Sequence, residues 1–391
     1  MKIAILTSGV LPVPAVCGGA VESLIDFCLD YNDSHKLHDI TVYSVSHPSI
    51  KGHASLKSDV NHYRFIHTNR KIDKVLKYVF RKTHENLYYN YSVEYYLKKT
   101  LKRIKKEAYD IILIENRPGY VLKLKDRVDS KLIIHQENDY LNTGTRHYQE
   151  IYDNTSCIIN TSDYITQQVR TINSKDTKCR TVLNGIDTTK FYCAPPIDRQ
   201  IVGLNDKDFV IVFSGRLKRE KGILQLIQAI KQTQEISNLK LLIIGASAYG
   251  KDKQPTKFIR QLEEESEPIK DKVIFTGFID YHQVPSYLKM GDIAVVPSMW
   301  EEPFGLTIVE AMAAGLPLIT TRSGGIPEIC EGVATIVDRE NIVENLAAAI
   351  LDLYKHPEKR AAMSKASLER SKRFDKETYA KNFFKAIESI T

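Results

Sequence analysis

The stretch DIAVVPSMWEEPFGLTIVEAMAAGLPLITTRSGGIPE, residues 292–328, decides the fold. Its opening run, DIAVVPS, is short and β-branched, the pattern of a buried strand. A loop carrying Glu302 and Gly305 follows, then a helical run containing Glu310, then a second strand-like run at 316–320. Strand, loop, helix and strand in that order is the repeating unit of a parallel α/β sheet.

Further runs of the same kind lie at 209–214, 239–245, 272–277 and 333–337, and a separate set lies at 2–7, 40–45, 111–115, 131–135, 156–160 and 181–183. Both sets alternate with helical stretches, which predicts two mostly parallel sheets with helices on both faces. Between them, CAPPID at 193–198 breaks the periodicity and predicts a linker. The expected organisation is α/β, with Rossmann-like doubly wound domains at 1–192 and 199–373. The final segment, 374–391, has near-helical apolar spacing and predicts a terminal helix packing back on the first domain. Ligands of open α/β sheets bind beyond the carboxyl ends of the strands. Two such domains facing a central cleft would hold a two-part substrate.

The bulk properties agree with a folded two-domain chain. At 391 residues it exceeds what one core serves, and 43% apolar with 26% charged residues excludes disorder. Its six cysteines show no CxxC and no paired His spacing, so neither a zinc site nor a disulfide framework is expected. No run approaches the ~20 apolar residues of a membrane span, and MKIAILTSGVLPVP is too interrupted for a signal peptide, so a cytoplasmic location is expected. The charge of +7 is uneven: residues 51–110 hold 15 Lys and Arg against 6 Asp and Glu. Within 71–106, Tyr78, Phe80, Tyr88, Tyr89, Tyr95 and Tyr96 interleave with those cations. That mixture suits peripheral contact with an anionic inner membrane face or a lipid-linked acceptor; a solvated helix surface is the alternative.

The candidate chemistry sits at strand ends. Gly305 permits close backbone approach, and the helix-start amides of Leu306 and Thr307 suit a phosphate oxygen. Glu310, one turn inside that helix, is a candidate for bidentate bonding to a ribose diol, and Glu302 for the hydroxyls of a sugar on the distal phosphate. Alone, both glutamates read equally as surface groups favoured by the helix dipole. After the strand at 209–214, Arg216 and Lys221 supply a fork of donors and a mobile charge, a pair suited to a diphosphate. Gly18 and Gly19 open a helix whose amides can meet an anion or sugar.

The string EPFGLTIVEAMAAGLPLI, with its Glu-x7-Glu spacing, resembles the signature of the family-4 retaining glycosyltransferases. The SGRLKREKG segment is similar to that family's GRL-x3-KG loop. The resemblance implies a GT-B fold and a nucleotide-sugar donor, UDP by default and GDP as competitor. It gives Glu310 the nucleotide ribose, Glu302 the donor sugar, the backbone after Phe304 the distal phosphate, and Arg216 and Lys221, beside Gly215, the pyrophosphate. It also implies that no metal or other cofactor is needed. The GG-x2-E placement looks like the family's loop over the donor, with Glu22 as a helix cap. VIFTGFI at 273–279 matches the segment that meets the nucleobase around Phe278 and Ile279, although a core aromatic is the other reading of Phe278. VLNGID at 182–187 resembles the turn before the linker. His135 ends the strand at 131–135, where spacing alone favours a satisfied strand-end histidine; the family places a histidine near the anomeric carbon, and the resemblance makes His135 a catalytic candidate. Glu115, Asn116 and Arg117, ending the preceding strand, are weaker acceptor candidates.

What the resemblance implies is a retaining transfer to a glycan or lipid-linked hydroxyl, in cell-surface polysaccharide or glycoconjugate synthesis. A hydrolase or epimerase of the same fold is the alternative among enzymes. A non-catalytic nucleotide-sugar or nucleic-acid binder is the alternative outside them, although nucleic acid is not expected as a partner. Residues 50–110 match no known pattern, and the acceptor stays open there.

Overall fold

The computed structural model describes residues 1–68, 91–233, 235–246 and 256–390. Contacts divide the chain into two units, 1–185 with 376–391, and 186–375. In the first unit the strands are β1 (Lys2–Leu6), β2 (Asp39–Val45), β3 (Asn61–Ile66), β4 (Ile111–Glu115), β5 (Lys131–Gln136), β6 (Cys157–Asn160) and β7 (Cys179–Thr181). They pair in the order β3-β2-β1-β4-β5-β6-β7, all parallel. The second unit contains β8 (Phe209–Ser214), β9 (Leu239–Ile244), β10 (Val273–Gly277), β11 (Ile293–Val296), β12 (Leu318–Thr321) and β13 (Thr335–Val337). Their order is β10-β9-β8-β11-β12-β13, again all parallel.

Both sheets are covered on two faces, which is why their central strands carry apolar residues towards both faces rather than alternating. In β4, Ile112 and Ile114 join one core with Tyr96, Leu97 and Leu101. Ile111 and Leu113 join the other, with Leu24, Cys28, Phe383 and Ile387. That second core is closed by the helices Ala20–His35 and Lys376–Glu388, the latter burying Tyr379, Ala380, Phe383 and Phe384. The terminal segment is therefore part of the first unit's core.

Three readings of the sequence need correction. The strand β3, NHYRFI, was not expected: it is an edge strand, four of whose residues are only partly buried or exposed, so its pattern is polar. The last strand of the first unit is Cys179–Thr181, two residues before the run at 181–183. The division falls after Gly185 rather than at 193–198. Ile186 bridges to Asp375 and donates its amide to the Phe374 carbonyl (2.9 Å), so the two crossing segments pair with each other. The helix Thr188–Tyr192, capped by Asp187, already belongs to the second unit through buried Phe191, and the prolines follow it.

Of the basic, tyrosine-rich segment, Tyr78, Phe80, Tyr88 and Tyr89 lie outside the described residues. The helix Tyr91–Ile104 turns Val93, Tyr96, Leu97, Leu101 and Ile104 into the core and leaves Lys98, Lys99, Lys102 and Arg103 exposed. Tyr96 is fully buried, its hydroxyl donating to the Tyr43 carbonyl at 2.6 Å, so it is a core residue and not an interfacial ring. Among the described residues, no helix is long and apolar enough to cross a membrane.

Candidate functional site

The strand orders fix where chemistry belongs. In the second unit the order reverses between β8 and β11, and the loops leaving their carboxyl ends flank the switch point where open sheets bind ligands. Those two loops, with the helix that follows the second, carry Arg216, Lys221, Glu302, the 305–307 turn and Glu310.

The loop after β8 is stitched to both neighbours. The Gly215 amide donates to the Ile244 carbonyl (3.0 Å) and the Leu217 amide to that of Ala246 (2.9 Å), at the end of β9. On the other side the Met299 amide donates to the Glu220 carbonyl (2.9 Å), beyond β11. Gly222 makes this closeness possible: its φ is +71°, and a Cβ there would stand 1.8 Å from the Pro297 carbonyl oxygen. Gly222→Ala is therefore expected to cost about 2–5 kcal/mol from left-handed strain and overpacking together. The denaturant midpoint measures it; an unchanged midpoint would show that the loop yields freely.

Lys221 and Glu302 meet across this seam. Lys221 Nζ donates to Glu302 Oε1 at 2.5 Å, and Ser298 Oγ donates to the same oxygen at 2.8 Å. Glu302 is 6% exposed, and its carbonyl accepts the Gly325 amide (2.8 Å), so the residue is held through both side chain and backbone. One ammonium donor is used here and two remain for a phosphate. Arg216 is exposed at the loop's tip and has no ion-pair partner among the described residues. Glu301, beside Glu302, faces away, bonded to Arg339 and to the Gly324 amide.

The helix Leu306–Ala313 starts at Gly305, whose φ of +116° opens the first turn, and no side chain caps it. Its first amides lack intrahelical acceptors, as at any helix start, and they carry the positive end of the dipole. Phe304 is buried edge-on against Phe374, so this residue offers backbone only. Glu310 is 6% exposed; burial pushes its carboxyl up to about 7, against the opposing hydrogen bond from Tyr281. Tyr281 Oη donates to Glu310 Oε1 at 2.8 Å. On the turn after β10, Phe278 is exposed and Ile279 half-buried, so Phe278 is not a core aromatic.

In the first unit the residues after β1, β4 and β5 again flank the reversal. Gly19 starts the helix Ala20–His35 with φ +111°, and a Cβ there would meet Glu22 Oε2 at 2.2 Å. Glu22 folds back over the helix start and receives its own amide and, at 3.5 Å, the Ser8 hydroxyl. Burial, with the Glu115 charge adding, pushes its carboxyl up to about 7. Gly18 is exposed, with open space around it.

His135 is not at the edge of a site: it is 1% exposed, its ring edge-on to Phe383. Nδ1 lies 2.9 Å from Glu115 Oε2 and Nε2 3.0 Å from Glu137 Oε1. Burial alone would push the imidazole down, but the two carboxylates outweigh it and hold it up at about 10, so the ring is a cation. Glu115 is equally buried and committed to that ring, which corrects its assignment to the acceptor. Glu137, one pleat nearer the strand end, also receives Asn184 Nδ2 (2.5 Å), and its amide donates to Asn116 Oδ1 (3.2 Å). Arg117 is half-buried, its Nε 3.4 Å from the Ser8 carbonyl. Glu137, Asn184, Ser298 and Tyr281 are the residues that sequence reasoning missed; Asn184 lay in the VLNGID segment, but nothing local pointed to the others' partners.

Comparison with known proteins places this geometry. Residues 196–370 match the family described as glycosyl transferases group 1. Over 369 residues the chain is 29% identical to a putative glycosyltransferase, YtcC, of Bacillus subtilis, covering 90% of this chain and 82% of that one. It is 26% identical over 256 residues to the lipopolysaccharide 1,2-N-acetylglucosaminetransferase of Salmonella typhimurium, covering 63% and 65%. The Anabaena protein HepE, solved in complex with UDP, superposes with a TM-score of 0.74 at 20% identity over the whole of both chains. The family's segment lies within the second unit and the structural likeness spans both, so residues 196–370 match the glycosyl transferases of group 1 and the chain has the GT-B fold.

Proposed function

We propose that the protein transfers a sugar from a nucleoside diphosphate sugar, UDP-linked, to a hydroxyl of a glycan or lipid-linked acceptor, with retention at the anomeric carbon and without a metal. The observation that carries this reading is the seam between the β8 and β11 loops, where Lys221 meets Glu302 at 2.5 Å beside a helix start and a buried Glu310. Lys221, Arg216 and the amides of Leu306 and Thr307 take the diphosphate, whose charge grows as the glycosidic bond breaks. Glu302 takes hydroxyls of the donor sugar and Glu310 the ribose. As the anomeric C–O bond breaks, the acceptor oxygen bonds to that carbon on the same face and its proton passes to the departing phosphate oxygen. In the first unit Glu137 is the carboxylate presented at the strand end, and His135 positions it. Asn116 and Arg117 lie beside it on the acceptor side.

The UDP assignment and the glycoconjugate acceptor draw support from HepE and from the lipopolysaccharide enzyme. A thermal-shift screen with UDP, GDP, ADP and their sugars tests the donor, since a ligand at 100 times its Kd adds ~2.7 kcal/mol of stability. UDP is expected to stabilise the protein, and Lys221→Ala to remove most of the shift. Turnover with a UDP-sugar is expected to survive EDTA, with an α-linked donor giving an α-linked product by NMR. Free sugar without acceptor consumption would instead make the protein a hydrolase.

A further inference from the structure

Glu310 is the group a ribose diol must reach, and it is 6% exposed. Among the described residues, the side chain hydrogen-bonded to it is Tyr281, through Oη at 2.8 Å. Tyr281 itself is 57% exposed, held on one side by the edge of Phe191 (ring centroids 6.2 Å apart). It sits on the turn that follows Gly277, a residue with φ +70°, and that turn also carries exposed Phe278. A phenol and a ribose hydroxyl are chemically alike here: each is an O–H donor to the same carboxylate oxygen. The phenol belongs to the exposed partner and the carboxylate to the buried one.

Resting on the donor-site reading above, we propose that Tyr281 is a specificity-determining residue whose hydroxyl stands in for a ribose hydroxyl on Glu310 and is exchanged for it when the nucleoside binds. The exchange replaces one O–H···O bond by another, so it costs little for a ligand that brings a hydroxyl to that oxygen. A ligand that brings none leaves the phenol where it is. Tyr281 thereby keeps the buried carboxylate satisfied and tunes donor affinity downward.

Titration calorimetry of wild type and Tyr281→Phe with UDP and with inorganic pyrophosphate tests this. Phenylalanine keeps the ring against Phe191 and removes the competing donor alone. UDP is expected to bind about three- to tenfold more tightly to the variant, the loss of one net hydrogen bond from the free protein. Pyrophosphate, which engages Arg216, Lys221 and the helix-start amides, is expected to bind both proteins equally. UDP affinity that is unchanged or weaker in the variant, with pyrophosphate binding intact, overturns the exchange and makes Tyr281 a retained support of Glu310. A change in pyrophosphate binding overturns it too, because the loop would then have moved. Absence of UDP binding to wild type overturns the donor-site reading itself, and the exchange with it.

Discussion

Glu310→Gln is expected to abolish stabilisation by UDP and to lower kcat/KM about a hundredfold or more, while making the protein more stable at pH 8. The first effect follows from the chemistry of a diol, two donors that need two acceptor oxygens. Glutamine offers one oxygen and an NH2 group facing the second hydroxyl, and a site built for hydrogen bonding discriminates strongly when partners mismatch. The second effect follows from the cost of keeping the carboxylate charged. Its folded value is about 7, raised by burial against an ordinary value near 4.3. The folded state therefore binds the proton more tightly, and the group's favourable contribution, complete below about pH 4.5, is lost as pH rises towards 7. Glutamine removes a penalty of about 3–4 kcal/mol at pH 8 and almost nothing at pH 4.5. Urea midpoints at the two pH values, read beside UDP titrations, check both halves. A variant less stable at pH 8 would mean that Glu310 is a structural anchor.

Glu22 and Asp26, both pushed up to about 7 by burial, slope the same way. Glu22 lies in the first turn of the helix that follows the first strand of one unit, and Glu310 one turn inside the helix that follows the fourth strand of the other, both beside the points where the sheets reverse. Stability is sacrificed near the places where ligands bind such folds, and a stabilising substitution there is expected to cost function.

How much of this was legible in the sequence depends on the range of the interaction. Arg216, Lys221, Glu302 and Glu310 stood out because each lies in a continuous strand-loop-helix segment whose whole string resembles a family signature; the local pattern alone marks a strand end and leaves them as surface groups. The partners that hold them did not. Lys221 and Glu302 are 81 residues apart, Tyr281 and Glu310 are 29 apart, and only the sheet order brings each pair together. β3 escaped notice because an edge strand with one solvent-facing side lacks the apolar run that marks β4 or β11. The boundary was misplaced for a related reason. The prolines at 195 and 196 do interrupt the periodicity, but the chain crosses between units at Gly185, where a single backbone pairing of Ile186 with Asp375 leaves no compositional trace. His135 was found at its strand end, yet strand position does not reveal which side chains close over it.

That closure makes His135 the residue whose loss is expected to cost most in stability. Glu137 follows β5 two residues after His135, and Glu115 lies opposite His135 in the register of β4. One imidazolium therefore stands between two carboxylates, and all three are at most 8% exposed. His135→Ala removes the cation and leaves two buried negative charges unpaired, a change expected to cost about 3–5 kcal/mol at pH 7. The pH dependence carries the signature. Because the folded imidazole is held at about 10 against an ordinary value near 6.5, its stabilisation is complete below pH 6.5 and is lost as pH climbs towards 10. Wild-type midpoints in urea should fall between pH 6.5 and pH 9.5, and those of His135→Gln should not share that fall. Turnover then separates positioning from contact. A buried ring that acts by fixing Glu137 predicts that His135→Gln raises KM and shifts the pH profile while kcat stays within about tenfold, whereas Glu137→Gln lowers kcat further than that. The reverse ranking of the two variants would put the imidazole against the sugar and the carboxylate behind it.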